Sequence, residues 1–282
     1  VEQGLRLAME AILSSPHFFY RVELDPDPSS TEAHGLSAHE LATRLSYFLW
    51  SSTPDDLLLA NAGDDSLLED ETLSAEVARL LDDSRSEALI DNFAGQWLFL
   101  RGVHDHEPDY NYFPAFDDEL RLAMIQETEL YFNEFLRGRS SMLSFLTGDF
   151  TFLNQRLANH YGLELPGGNA EDFQRVSLTG TQRSGVLTQG AWLMVTSFPT
   201  RTSPVKRGVW VLENLLCDGP PPPPPGVEGL ITEDMSSATL RERLENHRKE
   251  PVCASCHNAM DPIGFGFEHF DGVGEFRDAD SG

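Results

Sequence analysis

The run Cys253-Ala254-Ser255-Cys256-His257 carries the strongest chemistry in the chain. Two thiols separated by two residues lie within one turn of backbone and an imidazole follows at once, so one short helix can supply all three groups. This is the spacing at which two cysteines add to the vinyl groups of haem while the adjoining histidine reaches the iron. The run therefore predicts one haem c, with Cys253 and Cys256 as covalent anchors and His257 as proximal ligand. Structural zinc is a rival reading, with Cys217, His247 or His269 as fourth ligand. Adjacent Cys256 and His257 are awkward partners for one tetrahedral ion, and the chain has only three cysteines. A thioredoxin-like dithiol would need a strand before the motif and an α/β pattern around it, which the sequence lacks.

The residues after the motif suit a porphyrin. Pro262, Ile263, Phe265, Phe267 and Phe270 offer an apolar wall, and Gly264, Gly266, Gly272 and Gly274 permit close approach to backbone; ordinary core packing is the plainer reading of each. For the sixth ligand His247 is the first candidate, because it shares an apolar helix face. Met260 is too near His257 in sequence, whereas Met194, Met235 and His269 stay open, as does a vacant position. A filled position favours electron transfer and a vacant one peroxide or oxygen chemistry. Arg201, Lys206 and Arg207 are candidates for pairing with haem propionates, or form a basic cluster at a helix end. His104-Asp105-His106-Glu107 with Asp109 alternates imidazoles and carboxylates, as a metal site or as a solvated acidic loop. Cys217 is left over, as a buried thiol or an intermolecular disulfide partner.

The elements that must position these groups read as helix after helix up to about residue 165. Leu5, Met9, Ile12 and Leu13 have helical spacing from the first residues. Ser37 with Glu40 makes a capping box before Leu41, Leu45, Phe48 and Leu49. Thr53-Pro54 predicts a further helix start. Leu89, Phe93, Trp97 and Leu100 form one stripe, and Leu120, Met124, Tyr131 and Phe135 another that stops near Gly138. Pro166-Gly167-Gly168-Asn169 breaks the pattern and marks the expected boundary. Phe173 to Leu178 reads as a short strand. Two helices follow, on Leu187, Ala191, Met194 and Val195, and on Val205, Val209, Leu212 and Leu216. Pro220 to Pro225 predicts a polyproline II strap. A last amphipathic helix carries Leu240, Leu244 and His247 into the cysteines. The expected architecture is mainly α: a helical domain over 1–165, then a small helical haem domain over 170–282.

The balance of 46 acidic against 20 basic residues gives a formal charge of -26, which repels nucleic acid and anionic membranes. Only Lys206 and Lys249 are lysines, so the acidic, arginine-biased surface reads equally as partner docking, adaptation to salt or coding bias. No stretch approaches the roughly 20 apolar residues of a transmembrane helix. Residue 1 is Val, and the opening already looks like mid-helix, so the chain reads as a fragment or processed product.

Several long strings carry a resemblance. Ala11 to Glu23, Glu40 to Ser51, and Asp149 to Asn154 through His160-Tyr161-Gly162 are one group; Arg201 to Gly208, the proline run, His247-Arg248 and Cys253 to Gly274 are the other. Together they resemble planctomycete- and myxobacteria-type proteins in which consecutive domains of unknown function accompany cytochrome c modules. The resemblance implies a periplasmic or exported location, covalent haem, and a cytochrome c module or other redox protein as partner. It implies no substrate. Family members usually continue past the position of Gly282 and often begin with a separate cytochrome module. The expected role is electron transfer to or from a partner redox protein. The alternatives are a haem enzyme of peroxidase or oxidase type with its pocket in the helical domain, and a zinc-stabilised scaffold or surface-binding module.

Overall fold

The computed structural model describes residues 1–138, 140–222 and 239–279, and it is mainly helical, with one two-stranded sheet among those residues. The chain divides into two compact units, Val1–Asn92 and Phe93–Gly282.

In the first unit the capping box at Ser37 and Glu40 starts the helix Ala38–Trp50 as expected. The next start differs. Asp55, not Thr53, caps the helix Asp56–Gly63, because its carboxylate accepts from the Leu58 amide and also holds Arg79 at 2.8 Å. These two helices and Asp70–Asp82 enclose Leu49, Leu58, Leu67 and Leu80. Trp50 closes the set: its indole N–H donates to the Leu80 carbonyl at 2.8 Å, and Arg85 lies 3.4 Å over its ring. The helix Glu2–Leu13 forms, but its apolar stripe buries nothing, and Leu5, Met9 and Ile12 are exposed.

The second unit is built on the helix Asp118–Leu136, capped by Asp117 and ended before Gly138. Its inner face joins an aromatic cluster of Tyr131, Phe132, Phe135, Phe145 and Phe150. The stripe on Leu89, Phe93, Trp97 and Leu100 is not one helix. A π-helical turn at Ile90–Ala94 and a left-handed Phe99 break it, and the helix Leu100–Asp105 restarts the pattern. The expected strand is present as β2, Gln174–Ser177. Its partner β1, Phe150–Leu153, pairs with it antiparallel, Phe150 opposite Ser177. β1 lies where helix alone was expected; Phe-Thr-Phe-Leu is β-branched and aromatic, and only a pairing partner reveals it. The cluster Pro166–Asn169 lies between the paired strands, inside the second unit, since β1 before it and β2 after it share one sheet. Of the proline run, Pro220 to Pro222 are described, and Pro223 to Pro225 lie outside the described residues, as does Met235.

A buried polar network spans this unit. Glu127 is 1% exposed and accepts hydrogen bonds from Thr151 Oγ1 and Tyr161 Oη, both at 2.6 Å. Tyr161 Oη in turn accepts from the Gly190 amide at 2.6 Å. The Arg183 guanidinium stacks 3.6 Å over the Tyr161 ring and donates to the carbonyls of Thr188 and Gly274. Burial pushes the Glu127 carboxyl up from 4.5 to about 7, against the hydrogen bonds that favour its anion. The folded state thus holds a proton that the unfolded chain releases at lower pH, and the contribution of Glu127 to stability falls as pH rises from about 4.5 to about 7. Urea unfolding of the protein and of Glu127→Gln at about pH 5 and about pH 8 checks this. Relative to the variant, the wild-type chain should lose a few kcal/mol between the two conditions, and an equal pH response in both contradicts the assignment.

Candidate functional site

Pro251 opens the helix Pro251–Phe265 at a position where its missing N–H costs nothing, and this cysteine helix carries the whole motif. Cys253, Cys256 and His257 occupy positions i, i+3 and i+4 and therefore share one face. That face lines a cleft of about 330 Å³. The opposite wall is the helix Pro204–Asn214, which contributes Val205, Val209 and Glu213 at successive i, i+4 positions. Pro220 to Pro222, Val252 and Met260 complete an apolar lining, and His247 enters from the helix Leu240–His247.

The two helices approach so closely because each meets the other through a glycine. A Cβ placed on Gly208 would lie 1.9 Å from the Met260 carbonyl oxygen, and one on Gly264 would lie 1.8 Å from that of Pro204. Ser203 caps the crossing helix by accepting from the Lys206 amide at 3.2 Å. Beyond the cysteine helix, Arg207 gathers the returning chain. Its guanidinium is fully buried and donates to the carbonyls of Phe267 at 2.7 Å, Phe270 at 3.0 Å and Asp271 at 2.8 Å, with Glu268 at 3.3 Å. Burial lowers its pKa to about 10, and Glu268 opposes that shift.

His257 is held through its other face. Its Nδ1 lies 2.9 Å from Oδ1 of Asp261, one turn on, and Asp261 is fully buried. Oδ2 of Asp261 faces Nε of Arg248 at 3.6 Å. The rings of His247 and His257 meet edge to face, with centroids 4.8 Å apart. Burial first, and then the neighbouring His257, lowers the pKa of His247. The arrangement presents two thiols and one imidazole to a largely apolar concavity. That set can attach and ligate a flat hydrophobic metal macrocycle.

Of the residues singled out from sequence, the cleft unites Cys253, Cys256, His257, His247 and Met260. His247 is not poised across a gap from His257: ring contact leaves no room for a macrocycle between them. Arg201, Lys206 and Arg207 do not line the cleft. Arg201 lies over Phe198 and donates to the Thr202 carbonyl; Lys206 donates to the Ser197 carbonyl at 3.0 Å, and Arg207 is spent on the carbonyls named above. The expected aromatic wall is also elsewhere. Phe267 packs on Trp192, Phe270 on Phe276, and Phe265 receives Arg241; Phe270 is buried and the other two are half-buried, and none of the three lines the cleft. Gly272 and Gly274 admit Phe113 and the Gly190 backbone rather than a ligand. Met194 is in the core, His269 binds the Arg277 carbonyl, and Cys217 is exposed. Glu107 and the His106 carbonyl are taken by Arg121, and among the described residues no three His, Cys, Asp or Glu side chains are placed so that they could hold one metal ion. Asp261 went unnoticed in the sequence; its i+4 spacing from His257 on a helix was the available signal.

Residues 36–163 match the family model PSD4, described as a protein of unknown function (DUF1592). Residues 183–280 match PSCyt3, a protein of unknown function (DUF1588). No curated protein and no solved structure matches the chain.

The glycine crossing is directly testable. Gly208→Ala forces a methyl into the Met260 carbonyl, where backbone rather than a flexible side chain must yield, and should cost about 3 kcal/mol in chemical denaturation. Arg207→Met strands several buried carbonyls and Glu268 and should cost about 3–5 kcal/mol by the same measurement.

Proposed function

From this chain's membership of the proteins that carry these two domains in succession, and from the geometry of its cleft, we propose that it is a c-type haem redox protein. In this reading Cys253 and Cys256 hold haem c covalently, His257 is its proximal ligand, and the protein passes electrons to or from a partner redox protein. The observation that carries it is the display of both thiols and the imidazole on one helical face, over an apolar cleft. Haem, when bound, would supply one-electron iron chemistry.

The chain's own contributions follow from its contacts. Val205, Val209, Val252, Met260 and the prolines exclude water from the site and keep its dielectric low. Asp261 orients the imidazole, and Glu213 adds a single acidic group at the rim. Thioether attachment also implies export to a compartment with haem-ligation machinery, the periplasm. Among the described residues no helix is long and apolar enough to cross a membrane.

A second reading, an enzyme acting on peroxide or oxygen, is favoured by one observation. His247 lies in edge-to-face contact with His257, so the cleft would offer a bound haem no second histidine as ligand.

The test is a pyridine haemochrome assay on protein exported from a host with c-type maturation machinery. Haem should remain with the denatured chain and be lost from Cys253→Ser/Cys256→Ser. Low-spin six-coordinate iron supports the carrier, and high-spin iron the enzyme. A colourless protein with stoichiometric zinc overturns both.

A further inference from the structure

A carboxylate with no exposure to solvent needs a reason, because desolvation of an isolated charge is costly. Asp261 is 0% exposed, and each of its oxygens faces a different group. Oδ1 meets Nδ1 of His257 at 2.9 Å, well within hydrogen-bond range. Oδ2 forms an ion pair with Nε of Arg248 at 3.6 Å, and neither of these two buried atoms has a hydrogen-bond partner. Arg248 directly follows His247 and ends its helix, so the acid ties the cysteine helix to the neighbouring segment that carries the second imidazole. Pro262 follows Asp261 inside the helix, which holds the local φ near the helical value.

A carboxylate can only accept. Its partner atom on His257 must therefore carry the proton, which leaves Nε2 bare in the neutral ring. Bare Nε2 is the form that ligates metal, and an anionic partner on the far nitrogen increases the basicity of the ring. We propose that Asp261 is the positioning residue for His257: it selects the Nδ1–H tautomer, aims Nε2 into the cleft, and lowers the reduction potential of iron bound there. The last clause rests on the haem reading; the first two do not. The negative charge stabilises ferric iron, which carries one positive charge more than ferrous iron, so removing it raises the potential.

Two measurements decide the matter. In the full 282-residue chain without haem, long-range ¹⁵N–¹H spectra at alkaline pH report the His257 tautomer. The wild-type ring should carry its proton on Nδ1, whereas Asp261→Ala should shift the proton to Nε2. A wild-type ring protonated on Nε2 overturns the proposal. In haem-loaded protein, Asp261→Asn should favour reduction by about tenfold, equivalent to ~59 mV for one electron. An unchanged potential in a folded variant overturns the clause on the potential and leaves the tautomer to be decided by the first measurement. The haemochrome assay on both proteins separates the two ideas: if neither keeps covalent haem the cofactor reading fails, and the tautomer alone still decides the role of Asp261.

Discussion

The close crossing of Pro204–Asn214 and Pro251–Phe265 is the contact on which the site depends. Two glycines, one from each helix, meet the partner's backbone at distances no side chain could tolerate. Spacing of this kind is set by backbone and not by adaptable side chains, so it fixes the cysteine helix in register as well as in distance. The i, i+4 stripe of Val205, Val209 and Glu213 faces the cysteines because Gly208 has already been committed to Met260. Arg207, the neighbouring residue, then secures the chain that follows the cysteine helix by donating to the carbonyls of Phe267, Phe270 and Asp271.

The two sequence domains are not two structural bodies. Glu127 and Tyr161 belong to the segment matched by the first model, and Arg183, Gly190 and Gly274 to that matched by the second. Their hydrogen bonds are buried together in the unit Phe93–Gly282. A polar network at this depth is stabilising only when every member is satisfied, so neither matched segment can leave without exposing the other's unpaired groups. The cysteine helix is thereby tied, through the Gly274 carbonyl and Trp192 against Phe267, to helices far upstream in sequence.

Local signals in the sequence served best where the physics is local. The Ser37 capping box, the long helix ending before Gly138, and the motif on a single helix face all follow from spacing within a few residues. β1 was not legible, because four residues of Phe-Thr-Phe-Leu acquire strand geometry only from β2, more than twenty positions away. Arg207 misled for the same reason. A basic residue in a Pro-Val-Lys-Arg run reads as a propionate partner or a helix-end charge, and only the tertiary fold shows six oxygen partners closing around its guanidinium. The aromatics after His257 were equally ambiguous, since a ring that walls a ligand and a ring that fills a core have the same sequence.

What distinguishes the cleft from an ordinary metal clasp is the character of its walls. A structural zinc site closes four donors around one ion and leaves little room for anything else. Here two thiols and an imidazole run along a helix into a cleft lined mostly by valines, prolines and Met260, with Glu213 and His247 as its other polar side chains. Apolar side chains held in an open concavity forgo burial that a closed core would give them, and such surfaces mark the place of a ligand of matching polarity. Apart from Glu213 and His247 in the lining, the strongly polar group at the site is the Asp261 carboxylate, which bonds the imidazole from outside the cleft lining and faces Arg248. An anion in that position polarises the ring without competing for the ligand, which is the division of labour expected where a histidine must bind metal within an otherwise hydrophobic site.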